Sequence, residues 1–220
     1  MKERPILFNA EMVRAILDGR KTQTRRVVKV PQPMPGAGFR VYQSSNGEWF
    51  FERGDIQWAT FKCPFGKPGD RLWVKETWGW FTPNWDGIEW VPDRPFKEVR
   101  EKKFGQGYVD GNLIWAADGS FAWADEDSME ERSAWKPSIH MPRWASRITL
   151  EIKSVRIERL QDISNDDAKS EGFDSLGADD FPHASWSPRQ VFGKTWVSLY
   201  GEESWQQNPW VWVIEFERVG

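Results

Sequence analysis

Residues 19 to 26 form the densest polar segment of the chain, Gly-Arg-Lys-Thr-Gln-Thr-Arg-Arg. The segment places four cations and two hydroxyls directly after a glycine, which allows the backbone to turn sharply. Lys21, Thr24 and Arg26 supply hydrogen-bond donors for anionic or carbonyl groups. We therefore interpret this segment as one side of a binding or reaction pocket rather than as part of a hydrophobic core.

Glu171 is the acidic residue that best complements this segment. It lies at the end of a predicted short helix, just before Gly172, where the helix dipole disfavours a carboxylate by roughly 0.3–1 kcal/mol. The ammonium of Lys21 on the other side of a pocket would compensate that charge. Residues 1–30 hold eight basic and three acidic residues, whereas residues 161–220 hold four basic and eleven acidic ones, and this charge difference favours such a pairing. The alternative is a glutamate that is simply solvated.

Metal and Ser-His-Asp chemistry have little support in the sequence. A zinc site needs three or four Cys, His or carboxylate ligands, whereas Cys63, His140 and His183 are far apart. A Ser-His-Asp triad is formally possible, but the chain has no Gly-x-Ser-x-Gly motif. Gly-x-Gly-x-x-Gly and Walker motifs are missing as well. We expect neither a bound metal nor a cofactor.

Composition favours a soluble, cytoplasmic protein. A chain of 220 residues can bury a core without disulfides, and its single cysteine excludes an internal disulfide. No apolar stretch is long enough to span a bilayer, and the first residues lack the apolar run of a signal peptide. The net charge of −3 argues against a non-specific coat on DNA. We expect one enlarged domain, and the oligomeric state stays open.

Sixteen tryptophans are the second unusual feature, and seven of them lie between residues 78 and 135. An indole face can stack on a nucleic-acid base, a contact worth ~1–3 kcal/mol per base. Because this segment is poor in Leu, Ile and Val, the stronger interpretation is that tryptophan fills its core.

Hydrophobic periodicity and end signals predict short helices and strands with two long insertions. The insertions lie at about 31–66 and 79–135, and the second ends in an acidic run, Asp125 to Glu131. The predicted helices follow Asn9 and Ser164 and span 188–199. The predicted strands are 25–30, 71–78, 147–160 and 210–216.

The chain resembles the activating signal cointegrator homology (ASCH) family of the PUA-like superfamily. The resemblance runs through residues 16–26, Pro68 to Val74, Ala168 to Gly172 and the last strand, in the order of the family. It covers about 60 residues, and the Trp-rich extensions are similar to those of phage and prophage members. The resemblance implies an α+β fold, a small PUA-like β-barrel with flanking short helices and Trp-rich insertions, as a single domain over residues 1–220.

The same resemblance implies a function. ASCH domains are thought to bind RNA or nucleotides, so the expected ligand is RNA, single-stranded nucleic acid or a modified nucleoside. Some bacterial members are acetylcytidine amidohydrolases, and their lysine, threonine and glutamate correspond to Lys21, Thr24 and Glu171. We expect further ligand contacts from a set of cations and tryptophans, namely Arg20, Arg25, Arg26, Lys75, Trp78, Arg143 and Trp144.

The residues themselves are compatible with both catalysis and simple binding. A desolvated Lys21 can lose its proton near neutral pH and act as a base toward Thr24 or a water, while Glu171 protonates a leaving amine. Alternatively, Glu171 accepts from a cytosine amine, Lys21 meets a phosphate or carbonyl, and Thr24 bridges them. A third hypothesis makes the Trp-rich insertion a protein-interaction surface, and it requires a large exposed apolar patch.

Overall fold

The structure, a computed structural model, has a mixed α+β fold built mostly from strands. It describes residues 1–30, 32–33, 37–81, 84–85, 88–89, 95–120, 122–124, 131–133, 135–174 and 186–219. His183 and residues 125–130 of the acidic run lie outside this description. The α+β class predicted from the sequence is confirmed.

Strands in several small sheets make up most of the described structure. The strands are β1 (Glu3–Leu7), β2 (Gln23–Val27), β3 (Arg40–Gln43), β4 (Trp49–Arg53), β5 (Ile56–Phe61), β6 (Arg71–Lys75), β7 (Trp78–Phe81), β8 (Asn84–Trp85), β9 (Ile88–Glu89), β10 (Lys97–Phe104), β11 (Gly107–Trp115), β12 (Ala122–Ala124), β13 (Glu131–Ser133), β14 (Thr149–Arg159) and β15 (Trp210–Arg218). The helices are α1 (Ala10–Leu17), α2 (Asn165–Ser170), α3 (Pro188–Tyr200) and α4 (Glu202–Gln206). Short 3₁₀ turns cover Ala116–Asp118, Ser138–His140, Arg143–Ala145 and Leu160–Asp162.

The contacts within the chain divide it into two compact units. Unit 1 comprises Met1–Lys2, Asp18–Arg71 and Glu151–Arg218, and unit 2 comprises Glu3–Leu17, Leu72–Leu150 and Val219–Gly220. The predicted insertion at 31–66 belongs to unit 1, and the one at 79–135 belongs to unit 2. No closed barrel forms among the residues that the structure covers, so barrel closure and a single ASCH-like domain stay predictions.

Strand β15 forms the centre of unit 1, between β14 and β2. Its alternating side chains serve two layers, as expected for a strand buried on both faces. Val211 and Val213 pack with residues of α2 and α3. Trp212 packs edge-on against Trp49 and Phe61 of the β3-β4-β5 sheet. Aromatic side chains of this small sheet therefore cover one face of β15.

The short helices of unit 1 begin where their capping residues predict. Ser164 accepts a hydrogen bond from the Asp167 amide, and Asp167 accepts one from the Ser164 amide in return. This capping box fixes the start of α2 and thereby the position of Glu171, the residue that caps its C-terminus. Ser187 and Gln190 form the same arrangement at the start of α3. Both helices were predicted from the sequence.

In unit 2, tryptophan supplies the core. Strand β7 pairs with β11 and β11 with β10, all antiparallel. Trp78 and Trp115 are buried in this sheet's cluster together with Leu113 and Met141. Trp80 and Trp144 pack against the edge of the same cluster. The prediction that tryptophan replaces aliphatic residues in this segment is confirmed for these described positions.

Candidate functional site

The turn at residues 19–21 brings Lys21 directly beside Glu171 within unit 1. Gly19 has a φ of 75°, a left-handed conformation that glycine adopts without strain. Lys21 then forms an isolated antiparallel bridge with Glu171. The neighbouring amide of Thr22 donates to the carbonyl of Ser170 at 2.8 Å. Backbone pairing thus aligns the polar segment with the end of α2.

The two side chains make a direct ion pair inside the protein. The Lys21 Nζ donates to the Glu171 Oε2 at 2.7 Å and to the Glu171 backbone carbonyl at 2.8 Å. The Lys21 side chain has no exposed surface, and that of Glu171 is 3% exposed. The pairing expected from the sequence is therefore present, and the centre of the site is closed to solvent.

Arg25 extends this pair into a larger network. Its Nη1 lies 3.4 Å from the Glu171 Oε1, and its Nη2 lies 3.0 Å from the Glu158 Oε2 and 3.4 Å from the Asp167 Oδ2. Its side chain is completely buried. One guanidinium therefore contacts three carboxylates. In the Glu171 carboxylate, Oε1 faces Arg25 and Oε2 faces Lys21.

Arg156 forms the outer part of the network. Its guanidinium donates to Glu158 at 2.6 Å, to Asp167 at 2.9 Å and to the Gln23 side-chain oxygen at 3.1 Å. It also pairs with Glu215, which accepts from the Ser154 hydroxyl as well. We call the charged members the Lys21–Glu171 cluster; they are Lys21, Arg25, Arg156, Glu158, Asp167, Glu171 and Glu215.

Exposure rises from the centre of this cluster to its rim. The side chains of Asp167, Glu158, Arg156 and Glu215 are 22%, 27%, 32% and 44% exposed, respectively. Three cations face four carboxylates, so the fully ionised cluster carries one net negative charge. A polar ligand can thus reach the rim directly, whereas the Lys21 ammonium lies behind it.

Burial changes the protonation equilibria of the cluster. Desolvation lowers the pKa of Lys21, the neighbouring Glu171 charge and hydrogen bond oppose this, and the Arg26 and Arg25 charges reinforce it. For Asp167, desolvation works toward a higher pKa, but the hydrogen bonds from Ser164 and the Arg25 charge outweigh it and lower the pKa. Lys21 is therefore easier to deprotonate than an ordinary lysine, and Asp167 is easier to ionise than an ordinary aspartate.

Thr24 occupies a different side of β2 from this network. Successive side chains of a strand point to opposite faces, so Gln23 and Arg25 share one face and Thr24 lies on the other. Thr24 is buried and pairs with Ile214 in the β2-β15 ladder. The hydrogen bonds that join Lys21 to Glu171 do not involve its hydroxyl. Its predicted role in catalysis stays a prediction.

The other predicted ligand residues fall into two groups. Arg20 and Arg26 belong to unit 1, before and after Lys21 in the sequence. Arg20 pairs with Asp18 at 2.9 Å and donates to the Gly172 carbonyl at 3.4 Å. Arg26 is half-buried. Both cations border the cluster in sequence.

The remaining four belong to unit 2, and each has partners there. Lys75 donates to the Ile139 carbonyl, and Arg143 pairs with Glu3. The half-buried Trp144 donates from its indole to the Lys103 carbonyl and packs edge-on against Trp78. Because Trp78 is completely buried, its ring faces are occupied by protein and do not offer a base a stacking surface.

The rim residues were not among the predicted site residues, although the sequence contains a signal for them. In β14, Ser154, Arg156 and Glu158 alternate with Val155 and Ile157. This period of two marks one polar and one apolar face of the strand. Charged residues at alternate positions of a predicted strand are thus a usable indicator of a polar site on one side of the sheet.

Unit 2 holds a second buried charged group, in which Arg147 joins two carboxylates. Its guanidinium binds both oxygens of Glu76, each at 3.0 Å, and both oxygens of Asp118, at 2.7 and 3.0 Å. It also lies 4.3 Å from the centroid of the Trp115 ring. Since all three guanidinium nitrogens bind carboxylate oxygens, we interpret this group as structural.

Comparison of the chain with models of known protein families, with curated proteins and with solved structures finds no match in any of the three. Among the described residues, no three His, Cys, Asp or Glu side chains are grouped as a metal site requires. Within the same part of the chain, no helix has the length and apolar character needed to cross a membrane.

Proposed function

We propose that this protein is an ASCH-like, PUA-like protein of phage or prophage type that binds RNA, a nucleotide or a modified nucleoside at the Lys21–Glu171 cluster. The observation that carries the proposal is the 2.7 Å contact between Lys21 and Glu171, which are 150 residues apart in the chain. A buried ion pair is often no more stable than a pair of apolar side chains of similar size. Stability alone therefore gives little reason to keep this pair, and buried groups with a perturbed pKa are typical of functional sites.

The chemistry of the cluster suits the polar edge of a nucleobase beside a phosphate. Glu158 and Asp167 on the rim accept hydrogen bonds, as an exocyclic amine requires. Arg156 donates in a planar geometry that matches a phosphate or a carbonyl. A ligand that reaches Glu171 itself has to replace the hydrogen bonds from Lys21 and Arg25 with donors of its own.

Binding is expected to depend on the central pair. We expect the double variant Lys21→Met/Glu171→Gln to bind at least about tenfold more weakly than the wild type to the best ligand of a panel of RNA, single-stranded DNA and modified nucleosides. Calorimetric titration and fluorescence anisotropy measure this change. The double variant removes both charges together, so neither is left buried alone.

A matched control comes from the exposed pair Lys62–Glu48, whose charged atoms are 3.2 Å apart. The variant Lys62→Met/Glu48→Gln makes the same chemical change at the surface and is expected to bind like the wild type. Equal affinity of the wild type and the Lys21→Met/Glu171→Gln variant for every ligand would contradict the proposal.

The lowered pKa of Lys21 favours a second candidate, an amidohydrolase that removes an acyl group from the exocyclic amine of cytidine. In this reaction neutral Lys21 takes a proton from water, and the water oxygen bonds to the acyl carbon. The Lys21 ammonium then passes this proton to Glu171, and Glu171 delivers it to the leaving nitrogen as the carbon–nitrogen bond breaks, so the products are cytidine and a carboxylic acid. In the alternative version of this reaction Lys21 deprotonates Thr24 in place of water, which requires the Thr24 hydroxyl to reach Lys21 from the other face of β2.

The hydrolase candidate predicts a pH-dependent activity. Because only the neutral amine is a base, the rate is expected to rise with pH through the lowered pKa of Lys21 and then to level off. Incubation with acylated cytidines and mass spectrometry of the products measure the rate, and Glu171→Gln is expected to abolish it. Unchanged substrate at high enzyme concentration and alkaline pH excludes this candidate.

The protein-interaction hypothesis receives no support from Trp80 and Trp115, two tryptophans of the 79–135 insertion that the structure covers. Trp115 is buried in the unit 2 cluster, and Trp80 packs against it. The side chains of Trp85, Trp90 and Trp123 lie outside the described residues.

A further inference from the structure

Helices α3 and α4 of unit 1, with the preceding Trp186, line an open cavity of about 480 Å³ that shares no lining residue with the Lys21–Glu171 cluster. Two indoles, Trp186 and Trp205, line it together with the cations Arg189 and Lys194 and the carboxylate of Glu202. Small-molecule sites in proteins measure roughly 300–1,000 Å³, so the cavity is large enough for an organic ligand.

A glycine in α3 makes room for one wall of this cavity. Gly193 lies in the interior of a 13-residue helix, where glycine costs roughly 0.5–1 kcal/mol relative to alanine. A Cβ atom at this position would lie only 3.3 Å from two carbons of the Trp205 ring. The missing side chain lets the Trp205 indole approach the helix closely, which places an aromatic ring in the cavity wall at a cost in helix stability.

Two further contacts hold this wall in place. The residue before α4, Gly201, has a φ of 85°, which turns the chain back toward α3. The Trp196 indole then donates to the Ser204 hydroxyl at 3.0 Å and fixes α4 on α3. Trp205 itself packs against the apolar cluster of α2, α3 and β15. The position of the ring is therefore set before any ligand arrives.

The rest of the cavity lining combines a second aromatic ring with positive charge. The Lys194 ammonium lies 5.4 Å from the centroid of the Trp186 ring. Arg189 is held by a hydrogen bond from its guanidinium to the Gln161 carbonyl at 2.6 Å. Glu202 accepts a hydrogen bond from Gln206 at 3.3 Å. Two cations and one carboxylate give the lining a net positive charge beside two flat apolar surfaces.

We propose that this cavity is a binding site for a planar aromatic ring that carries a negative charge. The ring packs against the indoles of Trp186 and Trp205, and the anionic group meets Lys194. A nucleoside monophosphate and an aromatic carboxylate are the two sources of this chemistry. The site is distinct from the proposed nucleic-acid site and does not depend on it.

The test is calorimetric titration of the full chain with AMP, CMP and indole-3-acetate and with their neutral counterparts adenosine, cytidine and indole-3-acetamide. At least one anion is expected to bind more tightly than its neutral counterpart, and the tighter class identifies the source. Lys194→Met is expected to weaken binding of that anion about tenfold and to leave the neutral parent unchanged. Trp186→Leu is expected to weaken both by about tenfold.

Two control variants separate this proposal from the other site. Lys62→Met makes the same substitution at an exposed lysine outside the cavity and is expected to bind like the wild type. Lys21→Met/Glu171→Gln is expected to retain binding here. The proposal is overturned if no anion binds at millimolar concentration, if Lys194→Met and Trp186→Leu leave binding unchanged, or if the Lys21→Met/Glu171→Gln variant alone abolishes it. The last outcome would place the ligand at the Lys21–Glu171 cluster.

Discussion

Replacing Lys21 alone by methionine is expected to lower the free energy of unfolding by about 3 kcal/mol, near the lower end of the range for breaking a buried ion pair. The substitution removes both hydrogen bonds that the ammonium donates to Glu171. The Glu171 carboxylate stays buried, with Arg25 at 3.4 Å as its remaining described cation. That longer contact offsets only part of the lost interaction. Urea unfolding followed by circular dichroism measures the change.

A double-mutant cycle separates the pair from its surroundings. Glu171→Gln is expected to destabilise the protein as well, because it leaves the Lys21 ammonium buried without its carboxylate. The variant Lys21→Met/Glu171→Gln is expected to be more stable than the sum of the single effects implies, since no isolated charge remains. In this variant Arg25 keeps its contacts with Glu158 and Asp167.

The surface pair Lys62–Glu48 provides the comparison for this cycle. Both side chains are reachable by water, at 71% and 32% exposure, so Lys62→Met is expected to change stability far less than Lys21→Met. Additive effects of Lys21→Met and Glu171→Gln would mean that the two groups do not interact energetically. That result would remove the main argument for a functional ion pair.

The sequence predicts the centre of the site better than its rim. Lys21 follows a glycine turn, and Glu171 ends a helix whose capping box is readable as Ser-x-x-Asp, so both positions are defined by local signals. Arg156 and Glu158 carry only a weaker signal, the alternation along β14. Their actual partners depend on which strands lie side by side, and that order is not encoded by any short segment.

The elements that the sequence missed share one property: their stability comes from pairing partners rather than from a local pattern. Strand β10 contains Lys97, Glu98, Arg100, Glu101, Lys102 and Lys103, a composition that does not favour a strand. It forms because it pairs with β11, and its apolar Val99 enters the tryptophan cluster of unit 2. Strand β15, which is apolar and rich in β-branched residues, was predicted because its own side chains require burial.

The tryptophans show why residue type alone does not assign function. Trp78 and Trp144 were candidates for base stacking because an indole suits that role. In the structure Trp78 is completely buried, and its ring contacts those of Trp80, Phe104 and Trp144. By contrast, Trp186 and Trp205 line a cavity. Only the packing environment distinguishes the two uses.

The Arg147 group of unit 2 is expected to show the largest single effect on stability. Arg147→Met removes a guanidinium that binds Glu76 and Asp118 through two oxygens each, and it leaves the buried Glu76 without that cation. We expect a loss of about 3–5 kcal/mol in the free energy of unfolding. Arg147→Lys is expected to lose less stability than Arg147→Met, because it keeps the positive charge. It is still expected to be less stable than the wild type, because lysine lacks the planar group that binds two oxygens of each carboxylate.

Urea unfolding of these variants beside an exposed arginine tests the prediction. Arg100 pairs with Glu98 at 2.8 Å, but their side chains are 83% and 60% exposed, so Arg100→Met is expected to have a far smaller effect. A similar loss for Arg147→Met and Arg100→Met would show that burial does not determine the strength of the Arg147 contacts.

The pH dependence of stability gives an independent measure of the same group. Burial raises the pKa of Glu76 above its ordinary value of 4.5, although the Arg147 hydrogen bonds and charge oppose this, and the Asp118 charge adds to it. The folded protein therefore holds this proton more tightly than the unfolded chain does. The resulting stabilisation is fully present below pH 4.5 and is lost as the pH rises through the raised pKa of the folded state.

Glu76→Gln removes this titrating group and keeps a side chain of similar size. The free energy of unfolding of the wild type minus that of Glu76→Gln is expected to fall as the pH rises above 4.5. Arg147→Met, which raises the pKa of Glu76 further, is expected to cost less at acidic than at neutral pH, because a protonated Glu76 needs no cation. If the difference between the wild type and Glu76→Gln instead grows with pH, Arg147 and its hydrogen bonds outweigh burial, and the folded state favours the ionised carboxylate.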